Sequence, residues 1–248
     1  MLRSSFCLIV LALSTSHFAF AEGNAATDAQ AKAPAAEATP LPARVDLRPQ
    51  MKEWGLTPRH QGRRNTCSVF TTTAVFEFAA SKHYNRGTRF SVEYLNWACN
   101  QVNNNHTQDR GQFFGDLLKA FDEHGICLEK DLAYSKRFDD SVQPSADVIK
   151  SADEIRKLGL KVHWIKPWYK NVGLTDCRME QVKEVLAKGY PVAAGASHSR
   201  LLVGYEDDPN QPGGGIFYTQ DSGIGKFDSV TYKFAKENLN DLFWVEAP

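Results

Sequence analysis

The hydrophobic residues in the first half of the chain recur with the period of an α-helix. Phe113, Leu117 and Phe121 lie on one helical face, and Gly125 follows where a helix commonly ends. Ser91 is a suitable N-cap for another helix, and a polar, loop-like stretch covers residues 100–111. The predicted helices in this half span residues 67–84, 92–98, 113–124 and 148–158.

The second half changes from helical to β-type patterning. One helix is expected after Thr175 or Asp176, ending at Gly189. Short apolar runs between Gly, Asp and Pro turns then predict strands. These strands begin near Lys161 and cover residues 191–195, 201–205, 215–219, 229–234 and 242–246. A helical half followed by a β-rich half predicts an α+β protein with two lobes and a cleft between them.

The N-terminal residues are typical of a secretory signal. Arg3 supplies the positive charge, residues 6–13 form an apolar run, and Ala19-Phe20-Ala21 provides a small-residue cleavage site. The run is too short to cross a bilayer, and no later stretch approaches about 18 continuous apolar residues, so no membrane anchor is expected. We therefore expect cleavage after residue 21 and a secreted or periplasmic protein. The short signal favours a bacterium, although Asn105-His106-Thr107 matches a glycosylation acceptor.

Residues 22–43 are rich in Ala, Pro, Glu, Thr and Gln and predict a disordered leader. This leader is too short to fold as a bulky inhibitory prodomain, and whether it plugs a cleft stays open. Residues 44–248 suit a single globular unit or two packed lobes. With 29 basic and 29 acidic residues, the net charge is zero, which favours neither nucleic acid nor a membrane surface as partner. We expect a monomer.

Four cysteines follow the signal, and export would allow disulfides among them: Cys67, Cys99, Cys127 and Cys177. If Cys67 works as a free thiol, at most one bridge remains, and Cys99 with Cys127 is the suggested pair. The chain lacks C-x-x-C and H-x-x-x-H spacings, and its histidines are scattered. We therefore expect neither a metal nor a cofactor.

Cys67 is the first candidate for chemistry. A thiol in the first turn of a helix faces unpaired backbone N–H groups and the positive end of the helix dipole, which favours the thiolate. Thr66 is a suitable N-cap, and Gln61 brings an amide donor of the kind that stabilises an oxyanion. The alternative is a small buried cysteine at a helix start.

His198 and Asp221 complete a possible nucleophile, base and orienting group. His198 precedes a strongly apolar strand, and Asp221 ends the next one. Adjacent antiparallel strands would bring the two side chains together, so that the carboxylate orients the imidazole. Taken singly, His198 could be a structural histidine and Asp221 a turn former.

In this order and spacing, the residues resemble the papain-like cysteine peptidases. The similarity covers roughly residues 44–248, although 135–175 match poorly. The matching segments are Gln61-Gly62 with Thr66-Cys67, His198 through Val203-Gly204-Tyr205, Thr219 to Ser222, Ser91-x-Glu93-x-Leu95 with Cys99, Asp109-Arg110-Gly111, and Gly125-Ile126 followed by Ala133-Tyr134.

The resemblance implies a papain-like two-lobe fold with the active site in the cleft. The helical left lobe would span about 52–135, and an antiparallel, β-barrel-like right lobe about 44–51 and 136–248. It also implies a Cys67-His198-Asp221 triad, with Gln61 in the oxyanion hole and Gly111 binding the substrate backbone. Phe113 or Phe114 would line an apolar pocket, and at least one of them is expected to pack in the core.

The chain departs from the family pattern at several positions. Arg64 occupies the place of a disulfide cysteine, which removes the expected partner of Cys99. Ser68 replaces an aromatic residue after the nucleophile. Asp221 replaces the family's asparagine, and Gly223 replaces a tryptophan that would shield the histidine contact, so that contact is expected to be wetter and weaker.

The predicted activity is peptide-bond hydrolysis through a thioester intermediate, on a peptide or protein substrate. Two alternatives stay open at this point. The same Cys-His-Asp arrangement serves acyltransferases and deamidases, in which another acceptor takes the acyl group. The departures would also be compatible with an inactive papain-like binding protein.

Overall fold

The computed structural model describes residues 40–169 and 172–248. The predicted signal peptide, and the predicted leader as far as residue 39, lie outside the described residues. The described chain already pairs with the sheet before Arg44. Tyr205 donates its hydroxyl hydrogen to the carbonyl of Pro42, and the backbone N–H of Asp207 donates to Ala43.

Helices and strands follow one another in an α+β order. The helices in the described part are α1 (Arg48–Glu53), α2 (Cys67–Tyr84), α3 (Val92–Val102), α4 (Phe114–His124), α5 (Ala146–Arg156), α6 (Asp176–Ala187) and α7 (Tyr232–Asn238). The strands are β1 (Arg44–Asp46), β2 (Lys161–Lys166), β3 (Val192–Ala194), β4 (Arg200–Asp207), β5 (Gly215–Asp221), β6 (Lys226–Thr231) and β7 (Leu242–Glu246).

The strands form one antiparallel sheet in the order β2-β7-β3-β4-β5-β6, with β1 paired to β4. In the described part of the chain the end strands β2 and β6 do not pair with each other, so the sheet is open and does not close into a barrel. The α+β fold class is confirmed.

Helix α2 is the central helix of the protein. It is buried from Ser68 to Ser81, because α3 and α4 pack on one side and strands β3, β4 and β7 on the other. A second apolar core lies where α6 and α7 cover the sheet. Since α2 runs between the helical part and the sheet, its N-terminal residue Cys67 lies at the junction of the two.

Several local expectations are confirmed and some are wrong. Ser91 and Thr175 cap α3 and α6 through their hydroxyls, as the pattern predicts. The strand predicted over 229–234 is wrong at its end, because the Thr231 hydroxyl accepts from the N–H of Phe234 and starts α7. Strand β1 and helix α1 were not predicted; each is too short for periodicity to reveal.

The suggested disulfide is also wrong. Cys99 and Cys127 are both free and buried. The Cys99 sulfur accepts a hydrogen bond from Asn103, whereas the Cys127 sulfur interacts with Ser91. Burial raises the pKa of both thiols to about 12, so they remain protonated and unreactive at neutral pH.

Candidate active site

Cys67 begins α2 and is partly accessible. Burial acts to raise the pKa of its thiol, but hydrogen bonds from the His198 imidazole and from the N–H and hydroxyl of Ser199 outweigh burial, so the pKa is lowered. Thr66 is the N-cap residue, but its hydroxyl bonds to Tyr134 at 2.8 Å instead of capping the helix. The expected side-chain cap is therefore wrong, whereas His198 and Ser199 do lower the pKa of the thiol.

His198 and Asp221 meet because β4 and β5 are antiparallel neighbours, with Leu201 opposite Gln220. His198 Nε2 lies 2.7 Å from Asp221 Oδ1, which leaves the other ring nitrogen for the Cys67 sulfur. The hydrogen bond to Asp221, then that to Cys67, raises the pKa of His198 to about 9. Burial acts to raise the pKa of Asp221, but the imidazole prevails and lowers it to about 2. This geometry favours an imidazolium beside a thiolate.

The Asp221 carboxylate is held on both oxygens. Gly223 donates its backbone N–H to Oδ1 at 2.7 Å, and Arg200 donates Nε–H to Oδ2 at 2.9 Å. Arg200 also donates to the carbonyl of His198. Although Gly223 has no side chain to shield the contact, Asp221 is only 4% exposed. The sequence pattern does not mark Arg200 as a site residue; its one signal is that a basic residue begins an otherwise apolar strand.

Gln61 is fixed in orientation. Its Nε2 donates to the carbonyl of Arg64 at 2.8 Å, and its Oε1 accepts from the Ser222 hydroxyl at 2.7 Å. Because a carbonyl oxygen only accepts hydrogen bonds, the amide nitrogen must face Arg64. The backbone N–H of Gln61 also donates to the carbonyl of Ser222, so the loop before α2 is tied to the chain after β5. One amide hydrogen of Gln61 remains for another acceptor.

Arg64 organises the loop that leads to Cys67. It donates to Glu93 at 2.6 Å, to Asp109 at 3.5 Å and to the carbonyl of Ser135 at 2.8 Å. Arg64 and Glu93 are both buried. Where the family resemblance predicts a disulfide cysteine, this chain therefore has a buried ion-pair network. Through Asp109, the network also ties this loop to the segment that carries Gly111.

A cavity of about 450 Å³ lies beside Cys67. Gly111 and Phe113, the two residues expected to contact substrate, both line it. Phe113 is 60% exposed and packs edge-on against Trp168, whereas Phe114 is buried against Phe243. Phe114 thus serves mainly as core, as expected of at least one of the pair. Ser199 and Asp241 also line the cavity and were missed, because nothing local in the sequence marks them.

Comparison with solved structures decides the fold. Xylellain, a cysteine protease from Xylella fastidiosa, superposes with a TM-score of 0.65 at 18% identity, over 84% of this chain and 87% of that one. The chain has a papain-like fold. This papain-like chain also matches procathepsin L 3 of Tenebrio molitor (TM-score 0.59, 16% identity, 85% and 71% covered). The ragweed cysteine protease Amb a 11 in its proform gives 0.63 at 17% identity, over 86% and 69%.

No protein-family model matches the chain, and no curated protein matches it by sequence. Across residues 40–169 and 172–248, no three His, Cys, Asp or Glu side chains are grouped as metal ligands would be. Within the same ranges, no helix has the length and apolar character needed to span a bilayer.

Proposed function

We propose that this papain-like chain is a cysteine peptidase that hydrolyses peptide bonds. The observation that carries the proposal is the meeting of Cys67, His198 and Asp221 beside a cavity large enough for a peptide side chain. The solved structures that share the fold include cysteine proteases, and this supports the same reaction class.

In the proposed reaction, His198 holds the proton of Cys67, and the thiolate attacks the carbonyl carbon of the scissile bond. The carbonyl π electrons move to oxygen, and a C–S bond forms. When this tetrahedral intermediate collapses, the C–N bond breaks and His198 gives its proton to the leaving amine. Water then attacks the thioester, with His198 as base, and releases the acid and the thiol.

The proposed oxyanion hole consists of the Cys67 backbone N–H and the remaining amide hydrogen of Gln61. Ser222 and the Arg64 carbonyl support this role, because they fix the amide before the substrate arrives. A preorganised donor of this type contributes on the order of 3 kcal/mol to transition-state stabilisation. Gly111 is proposed to pair with the substrate backbone, and Phe113 to contact an apolar part of the peptide.

We also propose that the protein acts outside the cytoplasm, as a secreted or periplasmic enzyme. The support is the pattern of residues 1–21, with a charged start, an apolar run and a small-residue cleavage site. N-terminal sequencing of the exported protein tests this, and an N-terminus at Met1 would contradict it.

Alkylation of Cys67 tests the peptidase chemistry first. Iodoacetamide at pH 6 should label Cys67 in preference to the exposed Cys177, because hydrogen bonds from His198 and Ser199 lower the pKa of the Cys67 thiol. Peptide mapping identifies the labelled residue. Labelling should fall steeply in His198→Ala and persist in the control Cys177→Ser. Equal labelling of both thiols, or none at Cys67, would favour the inactive binding protein.

A peptide-library digest then separates hydrolysis from acyl transfer. The proposal expects cleaved peptides with free carboxyl ends, and no product from Cys67→Ser. Incorporation of an added amine without cleavage would instead indicate an acyltransferase, because the thioester would then react with the amine in preference to water.

A further inference from the structure

Asp241 is a buried carboxylate in the wall of the cavity beside Cys67. It is the only Asp, Glu, Lys or Arg among the described residues that line this cavity. The residue is 6% exposed. The proposed catalytic steps do not use it, and a buried charge is costly to keep unless something compensates it.

The backbone holds Asp241 rigidly at this place. The N–H of Gly195 donates to the Asp241 carbonyl, and the N–H of Asn240 donates to Gly195, each at 2.8 Å. These bonds extend the pairing of β3 with β7. A Cβ atom at residue 195 would overlap Asp241 Oδ1 and lie 3.2 Å from a ring carbon of Phe114. The absence of a side chain at Gly195 is therefore what makes room for the carboxylate.

The protein compensates this carboxylate only in part. The carboxylate accepts a hydrogen bond from its own backbone N–H and is attracted by the positive charge of Lys166 on β2. The ammonium of Lys166 donates to Asn240 Oδ1 at 3.3 Å. Burial lowers the pKa of Lys166, and the positive charge of Arg178 on α6 lowers it further. Gly195, which follows β3, and Phe114 of α4 pack beside it and carry no charge. Burial prevails over Lys166 and raises the pKa of Asp241 to about 6.

The rest of the cavity suits the stem of a long basic side chain. Phe113, Trp168 and Val172 supply apolar surface at the wall. Methylene groups of lysine and arginine pack on such surface while the charged end reaches a polar group. A carboxylate already removed from water forms strong charge-assisted hydrogen bonds with a guanidinium or an ammonium.

We propose that Asp241 makes this cavity a binding site for a positively charged side chain, an arginine or a lysine of the peptide substrate. This inference rests on the proposed peptidase function. It adds to that function a substrate class and a residue that selects it. Selection for basic peptides is strongest when Asp241 is ionised, and it weakens as the pH falls through about 6.

Paired substrates with arginine or its neutral isostere citrulline test the proposal. The probes are fluorogenic dipeptide amides that carry the variable residue at the first or second position before the cleaved bond. At pH 7.5, kcat/KM should favour arginine roughly 10- to 100-fold at one of the two positions, the range expected for a hydrogen bond to a charged group. Because the ratio is taken within one protein, changes in overall activity cancel.

The ratio should approach one in Asp241→Asn and stay unchanged in Asp228→Asn, an exposed aspartate of β6 outside the cavity. A second variant, Gly195→Ala, should also lower the ratio, because its methyl group displaces the carboxylate. In the unmodified protein, the ratio should decrease between pH 7.5 and pH 5. A ratio near one at pH 7.5, or a ratio retained in Asp241→Asn, overturns the proposal.

Binding to Cys67→Ala separates this proposal from the peptidase function. Calorimetry with the arginine and citrulline peptides measures selection without turnover. If no peptide is cleaved but the arginine peptide binds more tightly, the peptidase function fails and the role of Asp241 stands. If cleavage occurs without any preference for arginine, the peptidase function stands and the role of Asp241 fails.

Discussion

Replacement of Asp221 by asparagine should narrow the pH range of the proposed peptidase activity. The variant keeps the shape of the side chain and removes its charge. His198 has a pKa of about 9 against an ordinary 6.5, and the hydrogen bond to Asp221 is the largest cause. That difference corresponds to about 3 kcal/mol in favour of the imidazolium.

The pH profile should shift to lower pH because the activity requires His198 to be protonated. A raised pKa keeps His198 protonated up to about pH 9, and the thiolate of Cys67 is active only while its partner is an imidazolium. Without the carboxylate, the imidazolium loses its main stabilisation. The alkaline limb of the pH profile should therefore move down by roughly 1 unit or more, since the hydrogen bond with Cys67 retains part of the shift.

Two measurements check this prediction. One is kcat/KM from pH 4 to 10.5 with an uncharged substrate, and the other is the rate of Cys67 alkylation by iodoacetamide over the same range. The exposed Asp140→Asn is the matched control and should leave both profiles in place. An alkaline limb that stays near 9 in Asp221→Asn would refute the role assigned to this carboxylate.

Three further predictions follow from buried polar groups. Glu93→Gln should lower the free energy of unfolding by about 3 kcal/mol in urea titrations, because the buried Arg64 loses its short ion pair and keeps only Asp109, at 3.5 Å, as a charged partner. Ser222→Ala should reduce kcat about tenfold with little change in KM, because Gln61 loses the bond that fixes its amide. Asp241→Asn should raise the free energy of unfolding by up to about 3 kcal/mol at pH 7.5, as measured by thermal unfolding. This gain should vanish as the pH falls from about 6 to 4, since the buried carboxyl of the unmodified protein is then neutral.

Each of these variants has a control on the surface. Glu123→Gln breaks an exposed pair with Lys119 and should change stability by less than about 1 kcal/mol. Ser229→Ala lies on the exposed face of β6 and should leave kcat unchanged. Asp147→Asn is the control for Asp241→Asn, and it should not show the pH-dependent gain in free energy of unfolding. The argument for Arg64 fails if Glu93→Gln lowers the free energy of unfolding no more than its control does. The argument for Gln61 fails if Ser222→Ala changes KM and not kcat. The same holds if Asp241→Asn is no more stable than the unmodified protein at pH 7.5.

Local patterns in the chain were sufficient for most of the elements and for the order of the candidate site. A helix start at Cys67, a cap at Ser91 and an apolar strand after His198 depend on neighbours within a few residues. Such signals act over one helical turn or one strand, which is why they can be read without a fold. The α+β class followed from the same signals.

Tertiary structure alone decided which distant side chains share a site. Arg64 with Glu93, Arg200 with Asp221, and Asp241 beside Cys67 are all contacts between residues far apart in sequence. Chain spacing carries no measure of such distances, because the backbone between two residues can take many paths. The withdrawal of Asp241 from water likewise depends on what packs around it. The same aspartate on an exposed turn would have an ordinary pKa and no reason to attract a basic peptide.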